Sequence, residues 1–429
     1  MSAGGPDSDV TIVLDNGAAH VKAGLAGSDH PEVVMPNCVA RPRNERYRKL
    51  VGDETTKVEQ VGDYSQLLYS RPFERGYLVN WDHQIMVWDR IFSRDYLALR
   101  DASDSTLVVT EPAANLPRFK AEMDEVAFEY YGFARYARTT TSWLAATHYA
   151  EEQPKSIFAG SACRLVVDSG FSSTTVVPVF DDFCVQAAVK RVSVGGKAVT
   201  NLLKEMLTFR HLPLMDEWHV VNELKETTCR VPLNYSIAAR RMVNTGVNFR
   251  YLLPDFKTVH KGRILGCGGT SSSSNSSSSS SSGRVEQDAD SEASWDPEQI
   301  LNLTTETIKG PELLFNPIDV GIQQGGIIDA IIQSIKSCHS DLMGPLLSNI
   351  LLVGGNANIP GFRERVEQDL RAAAPDHFPI GVNVPKDPVG AAWRGGSSVS
   401  SANTFKDQVV SKAEYEEHGH SVCQLRFLR

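Results

Sequence analysis

Thr11-Ile12-Val13-Leu14-Asp15-Asn16-Gly17 is an apolar run that stops at a carboxylate and a glycine turn. Successive apolar residues bounded by turn residues predict a strand buried on both faces. The pattern returns at Leu165-Val166-Val167-Asp168-Ser169-Gly170, and a third run, Ile350–Val353, stops at Gly354-Gly355. Each Asp-x-Gly turn is followed by a β-prone run, Val21–Leu25 and Thr174–Val179, which predicts the returning arm of a hairpin. A repeated unit of this kind predicts two similar halves, and a cleft between such halves is where ligands commonly sit.

Other segments have helical spacing. Trp81, Ile85, Trp88 and Phe92 form one set, Phe119, Met123, Val126 and Tyr130 a second, and Phe362, Val366 and Leu370 a third. Each predicts a single apolar stripe against a core, and mixed strands and helices give an α/β chain. Trp81, Trp88, Trp143 and Trp393 are read as core anchors.

Composition narrows the function. A chain of 429 residues, 41% hydrophobic and 22% charged, buries a large core without disulfides or a structural metal. Its net charge of −9 and its lack of a Lys/Arg tract argue against unaided gripping of nucleic acid. Seven cysteines, Cys38, Cys163, Cys184, Cys229, Cys267, Cys338 and Cys423, are scattered with no C-x-x-C pair, and read as free thiols in a reducing compartment. Met1 to Asp9 is small and acidic, and no apolar run is long enough for a membrane span. The expectation is a soluble chain of the cytosol or nucleus, without membrane partners.

From Gly266 to Ser294 the chain is nearly all Gly, Ser and acidic residues, with an almost unbroken serine run over Ser271–Ser282. It buries too little apolar surface to offset its chain entropy, which predicts a disordered insertion in one loop. That loop is either an inert linker or one ordered by phosphorylation or a partner.

Backbone N–H groups of a tight turn can converge on an anion, and a nearby lysine and carboxylate suit phosphate and hydrated Mg²⁺. One Asp-Asn-Gly is most often only a hairpin turn. Two Asp turns with the strand-Gly354-Gly355 unit make a more specific set. His20, beside the first turn, is read as a surface or packing histidine ahead of a phosphate contact.

At this point the sequence resembles a family. Val13-Leu14-Asp15-Asn16-Gly17, Lys22-Ala23-Gly24, Arg41-Pro42-Arg43, Val51-Gly52-Asp53-Glu54, Asn80-Trp81-Asp82, Thr110-Glu111-Pro112, Val167-Asp168-Ser169-Gly170 and Gly354-Gly355 occur in the order found in actins, over nearly the whole chain. The resemblance implies the actin-like ATPase fold, with four subdomains in two similar halves around a nucleotide cleft. It implies a first half over residues 1–160, with a small subdomain about 41–80, and a second half over 161–429. Residues 395–429 are then expected to pack back on the first half. Arg71-Pro72-Phe73, Gly76-Tyr77-Leu78-Val79-Asn80-Trp81-Asp82, Leu314-Phe315-Asn316-Pro317 and Gly419-His420-Ser421-Val422-Cys423 are similar to a nuclear branch of actin-related proteins. Members of that branch are subunits of a remodelling complex that exchanges a core histone for its variant. The resemblance implies partners among the remodeller subunits, including a zinc-finger protein and the remodeller ATPase, and contact with nucleosomal histones, with DNA reached indirectly.

By the same resemblance, Asp15 and Asp168 match the aspartates that organise hydrated Mg²⁺, with Asn16, Gly17, Ser169 and Gly170 in their turns. Lys22 matches the lysine that reaches the phosphates, Lys225 and Glu226 the pair beside the adenosine, and Gly354 and Gly355 the glycines against the adenine. The implied cofactor is ATP or ADP with Mg²⁺. The departures concern hydrolysis. Ala18 stands where actin has serine, Phe171-Ser172 where it has Asp-Gly, and Thr141 where a glutamine positions the attacking water. Loss of the carboxylate and the amide weakens metal placement and nucleophile orientation. The expectation is a nucleotide held and not turned over.

The loop between Arg41-Pro42-Arg43 and Val51-Gly52-Asp53-Glu54 is shorter than actin's subunit-contacting loop and carries Arg43, Arg46, Arg48 and Lys49. It is either a solvated charged loop or a contact for an acidic partner or nucleosomal DNA, and its length argues against filaments. The leading expectation is an interaction subunit; the alternatives are an ATPase or sugar kinase and a cytoskeletal polymer subunit. Deleting Ser271–Ser282 is expected to leave the melting temperature of the full chain almost unchanged, and a fall of several degrees in a thermal melt would show that the serine run packs.

Overall fold

The computed structural model describes residues 10–427 except 46, 58–60, 62, 63, 65, 66, 100, 182, 247, 257, 258 and 269–298. In it the opening apolar run is the strand Val10–Asn16, inside a six-stranded sheet. Across that sheet the order is Val410–Ser411, Arg135–Thr140, Ser105–Glu111, Val10–Asn16, His20–Leu25 and Val33–Pro36. Val10–Asn16 pairs antiparallel with His20–Leu25 around the Asp15 turn and parallel with Ser105–Glu111 on its other side. Ile12, Val13 and Leu14 are buried, as a strand covered on both faces requires.

A second sheet repeats the plan. Cys163–Ser169 pairs antiparallel with Thr174–Phe180 around the Asp168 turn and parallel with Ile350–Val353, which in turn pairs parallel with Val382–Asn383. Phe183–Cys184 and Lys190–Val192 add to Thr174–Phe180. In both sheets the first arm of the hairpin has a parallel neighbour, so each Asp turn lies beside the end of another strand.

Two helices couple these sheets. Thr141–Glu152 follows directly from Arg135–Thr140 of the first sheet, and its Leu144 and Ala145 share a core with Val166, Val177 and Leu351 of the second. Ala391–Ser401 contributes Ala391 to that core and Trp393 to the core of the first sheet with Val13 and Val108. The Trp393 indole is fully buried, and its Nε1 donates to the Val13 carbonyl at 3.0 Å, which satisfies the one polar atom it carries. The helices meet closely at Gly395, where an added Cβ would be driven into the Leu144 carbonyl oxygen.

Helix faces differ in part from their sequence stripes. Phe362, Val366 and Leu370 are all buried in Phe362–Ala373. In Trp81–Phe92 the buried face is Gln84, Val87, Trp88, Ile91 and Phe92, with Trp81 and Ile85 on its flank. The stripe expected at Phe119, Met123, Val126 and Tyr130 breaks down after Met123. Pro117–Glu125 passes into a π-helical turn over Val126–Tyr130, whose extra residue advances the face, so Ala127 and Phe128 are buried and Tyr130 is exposed.

The described chain divides into two compact units, one running to Val199 and resuming at Leu313, the other Thr200–Glu312. Both large sheets belong to the first unit, so the half boundary expected near residue 160 runs inside it, where the helix pair shares core with both sheets. The small sheet Val39–Pro42, Leu50–Val51 and Leu67–Ser70 and the hairpin Phe73–Glu74 with Tyr77–Leu78 also belong to it. In the second unit Asn248–Leu252 pairs antiparallel with Arg263–Gly268 and with Ile300–Leu303. The serine run Ser271–Ser282 lies outside the described residues, and of the insertion expected over about 266–294 only its first residues are described. Gly266 to Gly268 still pair with Arg250 to Asn248, because ladder hydrogen bonds come from the backbone and need no apolar side chain.

The end of the chain returns to the first sheet. Val410–Ser411 pairs with Tyr136 and Arg135, Tyr415 stacks on Phe128 at 4.5 Å, and Cys423 is fully buried in the same core. His420 bonds to Asp124, a buried carboxylate that Arg138 also holds at 2.8 Å. Gly395→Ala is expected to cost about 1–3 kcal/mol of stability by overpacking the helix contact, read as a lowered denaturant midpoint; an unchanged midpoint would show that the helices separate without loss.

Candidate functional site

Asp15 and Asp168 end equivalent hairpin strands, but the residues facing them differ. Asp15 lies in register with Lys22, and Asp168 with Thr175. Lys22 Nζ donates to Asp15 Oδ2 at 2.7 Å, and Thr110 Oγ1, from the parallel neighbour, donates to Oδ1 at 2.8 Å. The Asn16 N–H donates back to Thr110 Oγ1 at 3.1 Å. Asp15 and Lys22 are both buried, and an ion pair removed from water is tolerable only when its remaining lone pairs are met in this way.

Asp168 accepts from Thr141 Oγ1 at 3.3 Å, and its cross-strand neighbour is a hydroxyl residue instead of a cation. Desolvation, then the negative charge of Asp15, push its pKa up to about 6. Two carboxylates close enough to repel, only one of them in an ion pair, form a setting that an added cation relieves. Among the described residues no group of three or more His, Cys, Asp or Glu assembles. A metal held through water and a ligand's phosphates suits this pair better than a closed cage of protein ligands.

The turns divide their work by position. Gly17 N–H closes on the Asp15 carbonyl at 3.0 Å and Gly170 N–H on the Ser173 carbonyl at 3.1 Å, so both glycine donors are used inside the protein. Among the described residues the N–H groups of Ala18, Ala19 and Ser172 donate to no protein acceptor. Anion-binding capacity therefore lies just beyond the glycines singled out from sequence, whose role is shape. A Cβ on Gly17 would stand 2.6 Å from the His20 carbonyl oxygen. The Ser169 hydroxyl is likewise internal, 3.0 Å from both Thr174 Oγ1 and Asn356 Nδ2. Asn16 Oδ1 accepts from Trp88 Nε1 at 3.3 Å, and its buried Nδ2 has no partner among the described residues.

The third turn is tied to the second through Asn356, whose Nδ2 also donates to the Gly170 carbonyl at 2.9 Å. Gly354 has φ +88°, and a Cβ there would be driven into the Ser169 carbonyl. At Gly355 a Cβ would meet no atom of the described residues within 4 Å, so glycine leaves that face of the turn bare among them, as a flat base requires. These features fit a nucleotide with Mg²⁺: donors for phosphate, two carboxylates for the hydrated metal and a bare glycine turn. Asp15, Lys22, Asp168 and the Gly354 turn would hold it, and the bound nucleotide would supply the phosphate charge and the metal.

Lys225 and Glu226 lie in the second unit on Trp218–Thr228. Lys225 Nζ donates to Thr200 Oγ1 at 3.2 Å and Asn222 Oδ1 at 2.8 Å, and Asn222 Nδ2 donates to Glu226 Oε1 at 2.8 Å. His20 keeps an edge open to solvent, yet the protein around it desolvates the ring, and with Lys22 and Arg71 lowers its pKa to about 4. It is neutral near pH 7. Sequence reasoning missed the roles of Thr110, Asn356 and Arg71. Thr110 stands in the quoted Thr-Glu-Pro motif and Asn356 directly follows Gly354-Gly355, so a polar residue beside each motif was the available signal.

The actin family profile matches residues 7–218 and 209–428. The chain belongs to the actin family. Relatives include Actin-related protein 6 of Drosophila melanogaster, 37% identical over 420 residues covering 96% of this chain and 98% of the relative. Actin-related protein 6 of Arabidopsis thaliana is 36% identical, covering 97% and 99%, and that of Dictyostelium discoideum 30%, covering 97% and 94%. The actin fold generally binds ATP or ADP with Mg²⁺, in keeping with the residues gathered at the two Asp turns.

A carboxyl with its folded pKa raised from 3.8 to about 6 keeps its proton while the unfolded chain releases it. Stability from this group therefore falls as pH rises across that window, and the deficit persists above it. Asp168→Asn is expected to raise the melting temperature of nucleotide-free protein near neutral pH, with the gain shrinking as pH is lowered toward about 5. A gain independent of pH in melts across this range would mean that Asp168 titrates normally.

Proposed function

We propose that this chain is a non-polymerising nuclear actin-related subunit of an ATP-dependent chromatin-remodelling complex that exchanges a core histone for its variant. In this reading it binds ATP or ADP with Mg²⁺ as a structural ligand joining the two Asp turns, and turns it over little or not at all. Nearly full-length similarity to proteins named Actin-related protein 6 supports the branch, as do the Gly76–Asp82 and Gly419–Cys423 segments. Its partners are the remodeller ATPase, a zinc-finger subunit and nucleosomal histones, with DNA reached indirectly, and its place is the nucleus with a cytoplasmic pool.

The non-catalytic reading is carried by two residues, Thr141 beside Asp168 and Phe171 in the second Asp turn. Thr141 Oγ1 lies 3.3 Å from Asp168, and by the resemblance to actins it stands where a water-orienting amide would, as Phe171 stands where a carboxylate would. Phosphoryl transfer to water or to a sugar hydroxyl needs a group that orients or deprotonates the nucleophile, and neither side chain does so. A ligand bound to the folded state alone stabilises it by mass action without any chemistry. The short turn before Leu50, with Arg43, Arg48 and Lys49 exposed, supports partner contact over self-assembly; Arg46 lies outside the described residues.

The alternative readings, an actin-fold ATPase or phosphotransferase and a cytoskeletal filament protein, predict turnover or a sedimenting polymer. The tagged chain is expected to recover remodeller subunits from nuclear extract and to release unhydrolysed nucleotide on denaturation, with Asp15→Ala and Asp168→Ala retaining less. Mass spectrometry of the eluate reads both. A lone protein with rapid turnover, or a pellet formed with Mg²⁺ and ATP, would overturn the proposal.

A further inference from the structure

One side chain touches both Asp turns, and the role inferred for it rests on reading those turns as a nucleotide phosphate site. Arg71 leaves the strand Leu67–Ser70, and its Nη1 donates to the carbonyl oxygens of Ala19 at 3.3 Å and of Ala18 and Asn37 at 3.5 Å. Its guanidinium carbon lies 4.6 Å from the centre of the Phe171 ring. It thus grips the first turn by its carbonyls and the second by an aromatic face.

In a planar trans peptide the Ala18 carbonyl and the Ala19 N–H point to opposite sides. Arg71 therefore holds the first turn from the side away from the Ala19 N–H, one of the donors without an acceptor among the described residues. Asn37 reinforces this hold, its N–H donating to the Ala19 carbonyl at 2.8 Å and its Nδ2 to the Gly17 carbonyl at 2.9 Å. At the second turn, Lys197 N–H donates to the Phe171 carbonyl at 2.8 Å, and a Cβ on Gly195 would stand 2.6 Å from that oxygen, so the backbone carrying the ring is fixed.

The substitutions at the two turns act together. A carboxylate at position 171 would favour a metal; an aromatic ring there favours a cation over its face. We propose that Arg71, stacked on Phe171, is a positioning residue that locks the two Asp turns together and shares with Mg²⁺ the balancing of a nucleotide polyphosphate's charge. The guanidinium supplies a fixed positive charge beside the turns that a chelator cannot remove, and it orders the first turn before ligand arrives.

The test is ATP binding by the nucleotide-stripped full-length protein, in Mg²⁺ and in excess EDTA, for wild type, Arg71→Met, Arg71→Lys and Phe171→Leu, with thermal melts to confirm folding. Chelation is expected to lower the affinity of Arg71→Met and Phe171→Leu at least about tenfold more than it lowers that of wild type. Both variants should recover most of the loss in Mg²⁺, and Arg71→Lys should sit between. If Arg71→Met does not fold, Phe171→Leu decides. Wild-type binding that vanishes in EDTA, or variants that lose equally with and without Mg²⁺, would overturn this inference and leave the nucleotide reading standing. Absence of wild-type binding in both conditions would overturn the nucleotide reading itself.

Discussion

A carboxylate at the end of a buried strand must be met by charge or hydrogen bonds, and much of the site depends on how Asp15 is met. Lys22 reaches it across the hairpin and Thr110 from the neighbouring parallel strand, while the Asn16 N–H returns to the same threonine. Three strands are thereby fixed to one another at a point where hydrophobic packing alone would leave their register free to adjust. The turn beyond Asp15 then has a set position, with its Ala18 and Ala19 N–H groups turned to no acceptor among the described residues.

The second sheet repeats the geometry without repeating the charge. Thr175 stands where Lys22 stands in the first hairpin, so Asp168 has a hydroxyl from Thr141 and an unfavourable neighbour in Asp15. This asymmetry makes the pair of carboxylates cation-seeking instead of self-satisfied. The frame that keeps them close enough to interact is the helix pair Thr141–Glu152 and Ala391–Ser401. Gly395 allows their near contact, and Trp393 anchors one of them to the Val13 carbonyl. Core packing and site electrostatics are therefore joined through the same few residues, and Thr141 itself opens one of these helices.

Phe171 stands where the resemblance to actins implies a carboxylate, and its ring provides a face on which Arg71 rests. Under the proposed structural role, such a site holds phosphate in place and moves no proton from an attacking nucleophile.

How much was legible depends on the range of each interaction. The buried strands could be read because an apolar run ending at Asp-x-Gly carries its own boundaries, and so could the carboxylates, since the two turns are local motifs. The π-turn at Val126–Tyr130 could not, because its extra residue is invisible to a stripe of helical spacing. Nor could the inward direction of the Ser169 hydroxyl, the bond from Asn356 to the second turn, or the contact of Arg71 with a ring one hundred positions away. Sequence by itself determined the α/β class, the repeated hairpin and the identity of the acids, since these depend on neighbouring residues. Tertiary structure alone decided which backbone donors remain for an anion, why Asp168 holds its proton more tightly than an ordinary carboxyl and what stands beside the two aspartates. Those properties are sums over charges and hydrogen bonds from distant segments, and they exist only once the chain has folded.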